Sequence, residues 1–258
     1  MKLISILIPC VLCFIWTLAW GDQTDVKDKG LQYQKIVTDM KDLTANFGNP
    51  LEVFYTNKAD KEMKFDAPRY FTILKKISLP EGKILDYVYV MTGSARYPVL
   101  YIRSNNQKPY NEIEEYNKSP DHANISRDKM MDNIVKILEV MDTEDGYFEY
   151  VVFYLMAPDF YLYKWTQLDH EIICHETRLN DKLKNDSQIP AAVKTAAKKL
   201  NLFPEINLAP DKAEVKIVTF TAHGGFFEER FIISRSFPHA LLEHTKQGLV
   251  EYNSRTIF

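Results

Sequence analysis

The sequence predicts an α+β fold, antiparallel β-meanders with amphipathic helices packed on one face, and allows two related lobes. Three observations predict it. Short apolar, aromatic-rich runs are separated by turn residues at Pro80-Glu81-Gly82, Thr92-Gly93-Ser94 and Ala222-His223-Gly224-Gly225. Connections that short join only antiparallel neighbours, because a parallel crossover needs a dozen residues or more. Between these runs lie segments with apolar residues at helical spacing, so that helix followed by strands occurs twice.

The chain of 258 residues opens with Lys2 and an uncharged run from Leu3 to Trp20. Ala19 and Gly21 are small residues at the positions a signal peptidase reads. This predicts a signal peptide over 1–21, cleaved after Gly21, and an exported protein, periplasmic or secreted. A retained anchor is the alternative, because about 18 apolar residues just span a bilayer. Membrane contact is expected only through such an uncleaved segment.

Ile36, Met40, Leu43 and Phe47 form one apolar stripe, which predicts a helix over 30–47 that Gly48 and Pro50 end. Four strands follow: Leu51–Thr56, Arg69–Leu79, Ile84–Met91 and Tyr97–Arg103. Proline pre-set at Pro80 and glycine at Gly82 suit a turn between the second and third. The polar stretch 104–126 reads as a linker or surface loop. It divides an N-terminal helix and meander (22–103) from a second α+β lobe (127–258).

Ser126 then caps a second helix over 127–142, with Met130, Met131, Ile134, Ile137, Leu138 and Met141 on its apolar face. The run from Gly146 to Glu176 is the densest apolar and aromatic stretch beyond the N-terminus. It is rich in β-formers, and Ala157-Pro158-Asp159 reads as the turn of a central hairpin. A third helix over 188–201 starts at Pro190. Val215–Thr221 and Phe226–Ile233 form a hairpin, Ser236 caps a short helix over Pro238–Lys246, and Leu249–Tyr252 adds a strand.

Composition narrows the function. Acidic residues (35) and basic residues (32) nearly balance, and no Lys/Arg block tracks a phosphate backbone, so nucleic acid is not an expected partner. Cys10 and Cys13 leave with the leader, so Cys174 stands alone in the mature chain and no internal disulfide can form. An exported chain without disulfides suits a bacterial envelope.

The one polar cluster with chemical promise is His170-Glu171-Ile172-Ile173-Cys174-His175-Glu176. It approaches the zinc motif of two histidines one helical turn apart with a glutamate between, but Cys174 occupies the second histidine's position. On a strand, His170, Cys174 and Glu176 share one face, and Glu171 and His175 the other, so the five do not converge on one ion. No metal or other cofactor is expected. Cys174 as a nucleophile needs a base: His175 points to the opposite face of the strand, so His223 or His239 would have to arrive from elsewhere in the fold, and Cys174, His170, His175 and His223 are the catalytic candidates. His223-Gly224-Gly225 has no G-x-S-x-G partner and reads as a hairpin turn. Tyr161, Tyr163 and Trp165 share one face of a predicted strand and could present a ligand or partner face.

The expectation is therefore a non-enzymatic exported protein that binds a small ligand or an envelope protein. The alternative is an exported hydrolase built on Cys174 or on a His/Glu metal site.

Overall fold

The structure, a computed structural model, describes residues 28–44, 65–92, 95–119, 127–160 and 170–252. The expected leader, the strand Leu51–Thr56 and the aromatic face Tyr161, Tyr163 and Trp165 lie outside these residues. Within them the chain is an α+β fold with antiparallel sheets.

Helix α1 (28–44) buries Tyr33, Val37 and Met40, with Ile36 and Leu43 half-buried beside them. This is the expected stripe, and its predicted end at Phe47 and Gly48 lies outside the described residues. Gly30 lets α1 lie close against the sheet, since a Cβ there would stand 3.2 Å from the Cys174 carbonyl oxygen.

The strand expected over 69–79 is corrected. Pro68 starts a 3-10 turn, Ala67–Arg69, which runs into the short helix α2 (Tyr70–Ile73). That coil turns Tyr70 inward, where its hydroxyl donates to the Ala157 carbonyl at 2.9 Å. Only Ile77–Ser78 is strand (β1), and it does not lie beside the next ribbon. It pairs with β4 (Glu139–Val140).

The turn at Pro80–Gly82 forms as expected, with Lys83 donating to the Pro80 carbonyl and Gly82 at φ 76°. Strands β2 (Lys83–Thr92) and β3 (Ala95–Ser104) make the predicted hairpin, in register from Lys83↔Ser104 to Thr92↔Ala95. The polar excursion after it is pinned by tyrosines. Tyr110, and Tyr116 of helix α3 (Ile113–Lys118), pack on Tyr101 at ring separations of 5.0 and 5.6 Å.

Helix α4 (Arg127–Val135) buries Met130, Met131 and Ile134 but stops short of the expected 142. Residues 139–140 are drawn into the β1 pairing, which supplies backbone partners a longer helix would forgo.

The largest correction concerns the expected central hairpin. Residues Glu144–Met156 are a helix, α5. Thr143 caps it by accepting from the Gly146 amide at 3.1 Å, and Glu144 and Asp145 place negative charge on the positive end of its dipole. Every residue from Tyr147 to Phe153 is buried, so α5 runs through the core rather than along its surface. A run buried on all sides carries no periodicity to separate helix from strand.

After β5 (Glu171–Ile173) comes a helix the periodicity does not predict, α6 (Glu176–Asn185), with Leu179 and Leu183 buried. The predicted helix over 188–201 is shorter, α7 (Ala191–Ala197). Strands β6 (Glu205–Leu208), β7 (Lys212–Thr221) and β8 (Gly225–Ser234) follow, the last two as the expected hairpin. The helix predicted over 238–246 is corrected to strand. Leu241–Glu251 forms one edge strand, β9, that absorbs the predicted Leu249–Tyr252.

Strands β5 and β6 both pair with β7, which pairs with β8, which pairs with β9. One face of this sheet, with Ile172, Val215, Ile217, Phe231 and Ile233, joins the main core under α5. That core also takes Tyr33, Tyr70, Tyr87 and Phe148, so described residues on both sides of 104–126 share one buried cluster. On the opposite face, Ile173, Val218, Phe220 and Phe226 pack with Leu179, Leu183 and Val193. The rest of that face carries an ion ladder, Glu214–Arg230–Glu243, across three strands.

A candidate site around Glu229

Glu229 sits mid-strand in β8 between Phe227 and Phe231, so alternation points its side chain into the apolar face. It is 1% exposed. A carboxylate held there must be fully hydrogen-bonded to remain charged. Four donors meet it. His170 Nε2 lies 2.6 Å from Oε1, the Thr219 hydroxyl donates to Oε1 at 2.8 Å, and Lys246 Nζ stands 2.9 Å from Oε1. His244 Nε2 lies 2.8 Å from Oε2.

Strand pairing brings these groups together. Lys246 is directly opposite Glu229 on β9, and His244, two residues earlier, is opposite Phe231 and so on the same face. Thr219 belongs to β7, and its partner on β5 is Ile172, which shares a face with His170. His244 stacks on Phe231 with ring centroids 4.2 Å apart and meets Tyr154 of α5 edge-on at 6.0 Å. The Tyr154 hydroxyl donates to Asp132 of α4 at 3.2 Å, and burial, with Asp132 beside it, pushes its pKa up to about 12. Lys246 also lies over the Phe227 ring at 4.5 Å.

Two forces act on the Glu229 carboxyl. Burial raises its pKa. Hydrogen bonds from His170, His244 and Lys246, with the charge of His170, outweigh burial and hold it well below the usual carboxylate range. Glu229 is therefore an anion that fixes three side chains. Each imidazole turns Nε2 toward the carboxylate, which leaves its Nδ1 without a protein partner among the described residues. The side chains of His170, His244 and Lys246 reach the surface, 18%, 30% and 38% exposed.

The spacing is that of hydrogen bonds. Ligands of a tetrahedral zinc at about 2.1 Å stand roughly 3.4 Å from one another, wider than any contact made here. Among the described residues, no group of three or more His, Cys, Asp or Glu side chains could hold a metal ion.

The heptapeptide 170–176 divides as its alternation predicts up to Cys174, after which Glu176 opens α6. His170 and Cys174 face the main core. Glu171 turns the other way and meets Arg178 of α6, with Lys41 and Lys182 each at 3.8 Å. His175 caps α6, its Nδ1 accepting from the Thr177 amide at 3.3 Å. Cys174 is buried, its amide donates to Gln34 Oε1 at 2.8 Å, and burial pushes its thiol far above the ordinary value. His223 stands exposed in the β7–β8 turn, on the chain reversal closed by Gly224 and Thr221. Of the catalytic candidates among the described residues, the structure thus brings His170 into this cluster.

Sequence reasoning misses Glu229, His244, Lys246 and Thr219. The one signal for them is alternation: Glu229 occupies an inward position, between Phe227 and Phe231, of an otherwise apolar strand face. A buried carboxylate demands donors, but which strand supplies them is a matter of pairing.

A second polar feature is an open cleft of about 470 Å3, lined by Arg178, Asp181, Lys182, Asp186, Gln188 and Ala222. Its charges are mixed. No family model matches this chain, and no curated protein and no solved structure proved similar to it.

Proposed function

We propose that the chain is an exported protein that binds a ligand or an envelope partner and does not transform it, with His170, His244 and Lys246 as the binding groups. Export rests on the sequence of the first 21 residues. The observation that carries the binding reading is the saturation of Glu229: four donors occupy its carboxylate, so it serves as a fixed counter-charge. Three surface-reaching heads are held by it in one place, the preorganisation that lowers the entropic cost of binding. A hydrolase reading finds little to work with. Cys174 is sealed in the core, and His175 is turned to its helix cap.

Heads of this kind suit a ligand carrying a carboxylate or phosphate group: Lys246 keeps N–H donors beyond the one given to Glu229, and an imidazole whose Nε2–H is given to Glu229 donates through Nδ1 in its doubly protonated form. The test is a thermal-unfolding series in orthophosphate, sulfate, acetate and citrate, on the native protein and on His244→Ala. The reading expects at least one anion to raise Tm of the native protein and to lose most of that effect in the variant. It fails if no anion shifts Tm, or if the shift is the same in both proteins.

A further inference from the structure

Several large apolar side chains are exposed at one end of the large sheet: Phe237 at 63%, Leu242 at 59%, Met141 at 50% and Leu208 at 37%. They come from three separate segments, before α5, at the end of β6 and from Phe237 into the start of β9, and flank one ion pair. Arg235 reaches Asp142, next to Met141, with Nη2 to Oδ2 at 2.5 Å, and also donates to the Ala209 carbonyl, next to Leu208. Phe237 lies two residues beyond Arg235 and meets the His239 ring edge-on at 6.2 Å. Leu242 is the extra residue of a register shift, because Ile233 pairs with Leu241 and Ile232 with Glu243. The bulge turns Leu242 out of the ladder.

The same end receives the N-terminal part of the chain. Lys29, in the first turn of α1, pairs with Glu144, three residues after Met141, and the Tyr33 hydroxyl donates to Asp145 at 2.8 Å. Residues 21–28 separate Lys29 from the uncharged run Leu3–Trp20. These eight residues span at most roughly 28 Å. Where that run is retained as an anchor rather than cleaved after Gly21, the bilayer that holds it lies within reach of this end of the fold, and the inference rests on that retention. Arg235 and Asp142 neutralise each other among the four apolar side chains, so seating them at the headgroup boundary strands no unpaired charge of theirs.

We infer that the surface formed by Met141, Leu208, Phe237 and Leu242 is a membrane-facing surface, seated on the lipid bilayer across which the chain is exported. It goes beyond the binding reading and does not depend on the Glu229 cluster, which would keep or lose its anion effect independently.

The test is hydrogen exchange read by mass spectrometry on the full chain, with and without phosphatidylcholine vesicles. Vesicles should slow exchange several-fold in peptides covering 139–143, 206–211 and 235–243, and leave 222–225 and 247–252, at the far end of the sheet, unchanged. The double variant Phe237→Asp/Leu242→Asp should lose that protection, whereas Leu249→Asp, at the far end of β9, should keep it. Unfolding midpoints of both variants report whether the fold is intact. The inference is overturned if vesicles protect neither 206–211 nor 235–243, if they protect the far end instead, or if the folded double variant is protected like the native chain.

Discussion

His170 Nε2 stands 2.6 Å from Glu229 Oε1, although 59 residues of chain separate them. The contact joins the residue before β5 to the middle of β8, with β7 between them, so it exists only when three strands are in register. It makes Glu229 the point at which the sheet's pairing and the candidate site test each other.

Glu229→Gln keeps the shape but removes the charge and turns an N–H2 toward donors. Breaking a buried ion pair on one side costs about 3–5 kcal/mol. The partly exposed His170, His244 and Lys246 regain water, so the expected loss lies near the lower end, about 3 kcal/mol, measured by urea unfolding at pH 7. A loss under about 1 kcal/mol, the scale of an exposed pair, contradicts a buried, charged Glu229.

The same carboxylate sets a pH dependence. Its folded pKa is depressed, so its contribution is present above the unfolded value near 4.3 and is lost as pH falls toward the folded value. Native stability should therefore decline below about pH 4, more steeply than that of Glu229→Gln. Parallel curves for the two proteins would remove this role.

Gln34 and Cys174 give a prediction about the core. Gln34 Oε1 accepts from the Cys174 amide, while Gln34 Nε2 is buried with no partner. Gln34→Leu strands the Cys174 N–H, a cost of about 1–3 kcal/mol, but relieves the unpaired Nε2. The net loss should be close to about 1 kcal/mol. The sealed thiol should react with a disulfide reagent only as fast as the protein opens, and label at once in denaturant. Fast labelling of the native protein would place Cys174 at the surface and revive a nucleophilic reading.

The β2–β3 and β7–β8 hairpins are legible in the sequence because glycine and proline turn chemistry and alternating apolar residues agree there. α5 is not, because Tyr147 to Phe153 are buried on every side and rich in residues that favour strands. Its cap, Thr143-Glu144-Asp145-Gly146, is the readable signal. β9 fails for the opposite reason: an edge strand largely exposed on both faces shows no alternation, and Ser236 and Pro238 imitate a helix start. Of the candidate site, only His170 is legible. Glu229 meets His244 and Lys246 through a strand pairing that no local pattern encodes.

Gly146 offers a direct check on α5. A Cβ there would lie 2.0 Å from the Met141 carbonyl oxygen, a backbone atom that cannot swing aside. Alanine gains about 1 kcal/mol of helix propensity, against an overpacking cost near the upper end of about 1–3 kcal/mol. Gly146→Ala should therefore destabilise by about 2 kcal/mol. Gly82, with φ 76° and nothing within 4 Å of an added Cβ, should lose only the backbone strain, about 1 kcal/mol, on change to Ala. Equal losses at the two sites, read by denaturant unfolding, would contradict the α5 cap geometry.

Glu149 is a second buried carboxylate, and its sign is opposite. It lies on α5, and its Oε2 accepts from the Lys76 amide at 2.5 Å, which ties the helix to the segment before β1. Burial raises its pKa, and the hydrogen bonds from the Lys76 and Lys75 amides and the Lys76 charge only partly offset that. A carboxyl whose folded pKa is raised favours the fold most when protonated. That contribution is present below the unfolded value near 4.3 and is lost as pH rises through the folded one. Glu149→Gln is neutral at every pH and keeps an acceptor for the Lys76 amide. Measured against the native protein as pH rises from about 4 to about 7, Glu149→Gln should therefore gain stability, whereas Glu229→Gln should lose it over the acidic part of that range. If both variants shift the same way, the two carboxylates share one environment, and the contrast between a four-donor site and a helix face buried in apolar surroundings is wrong.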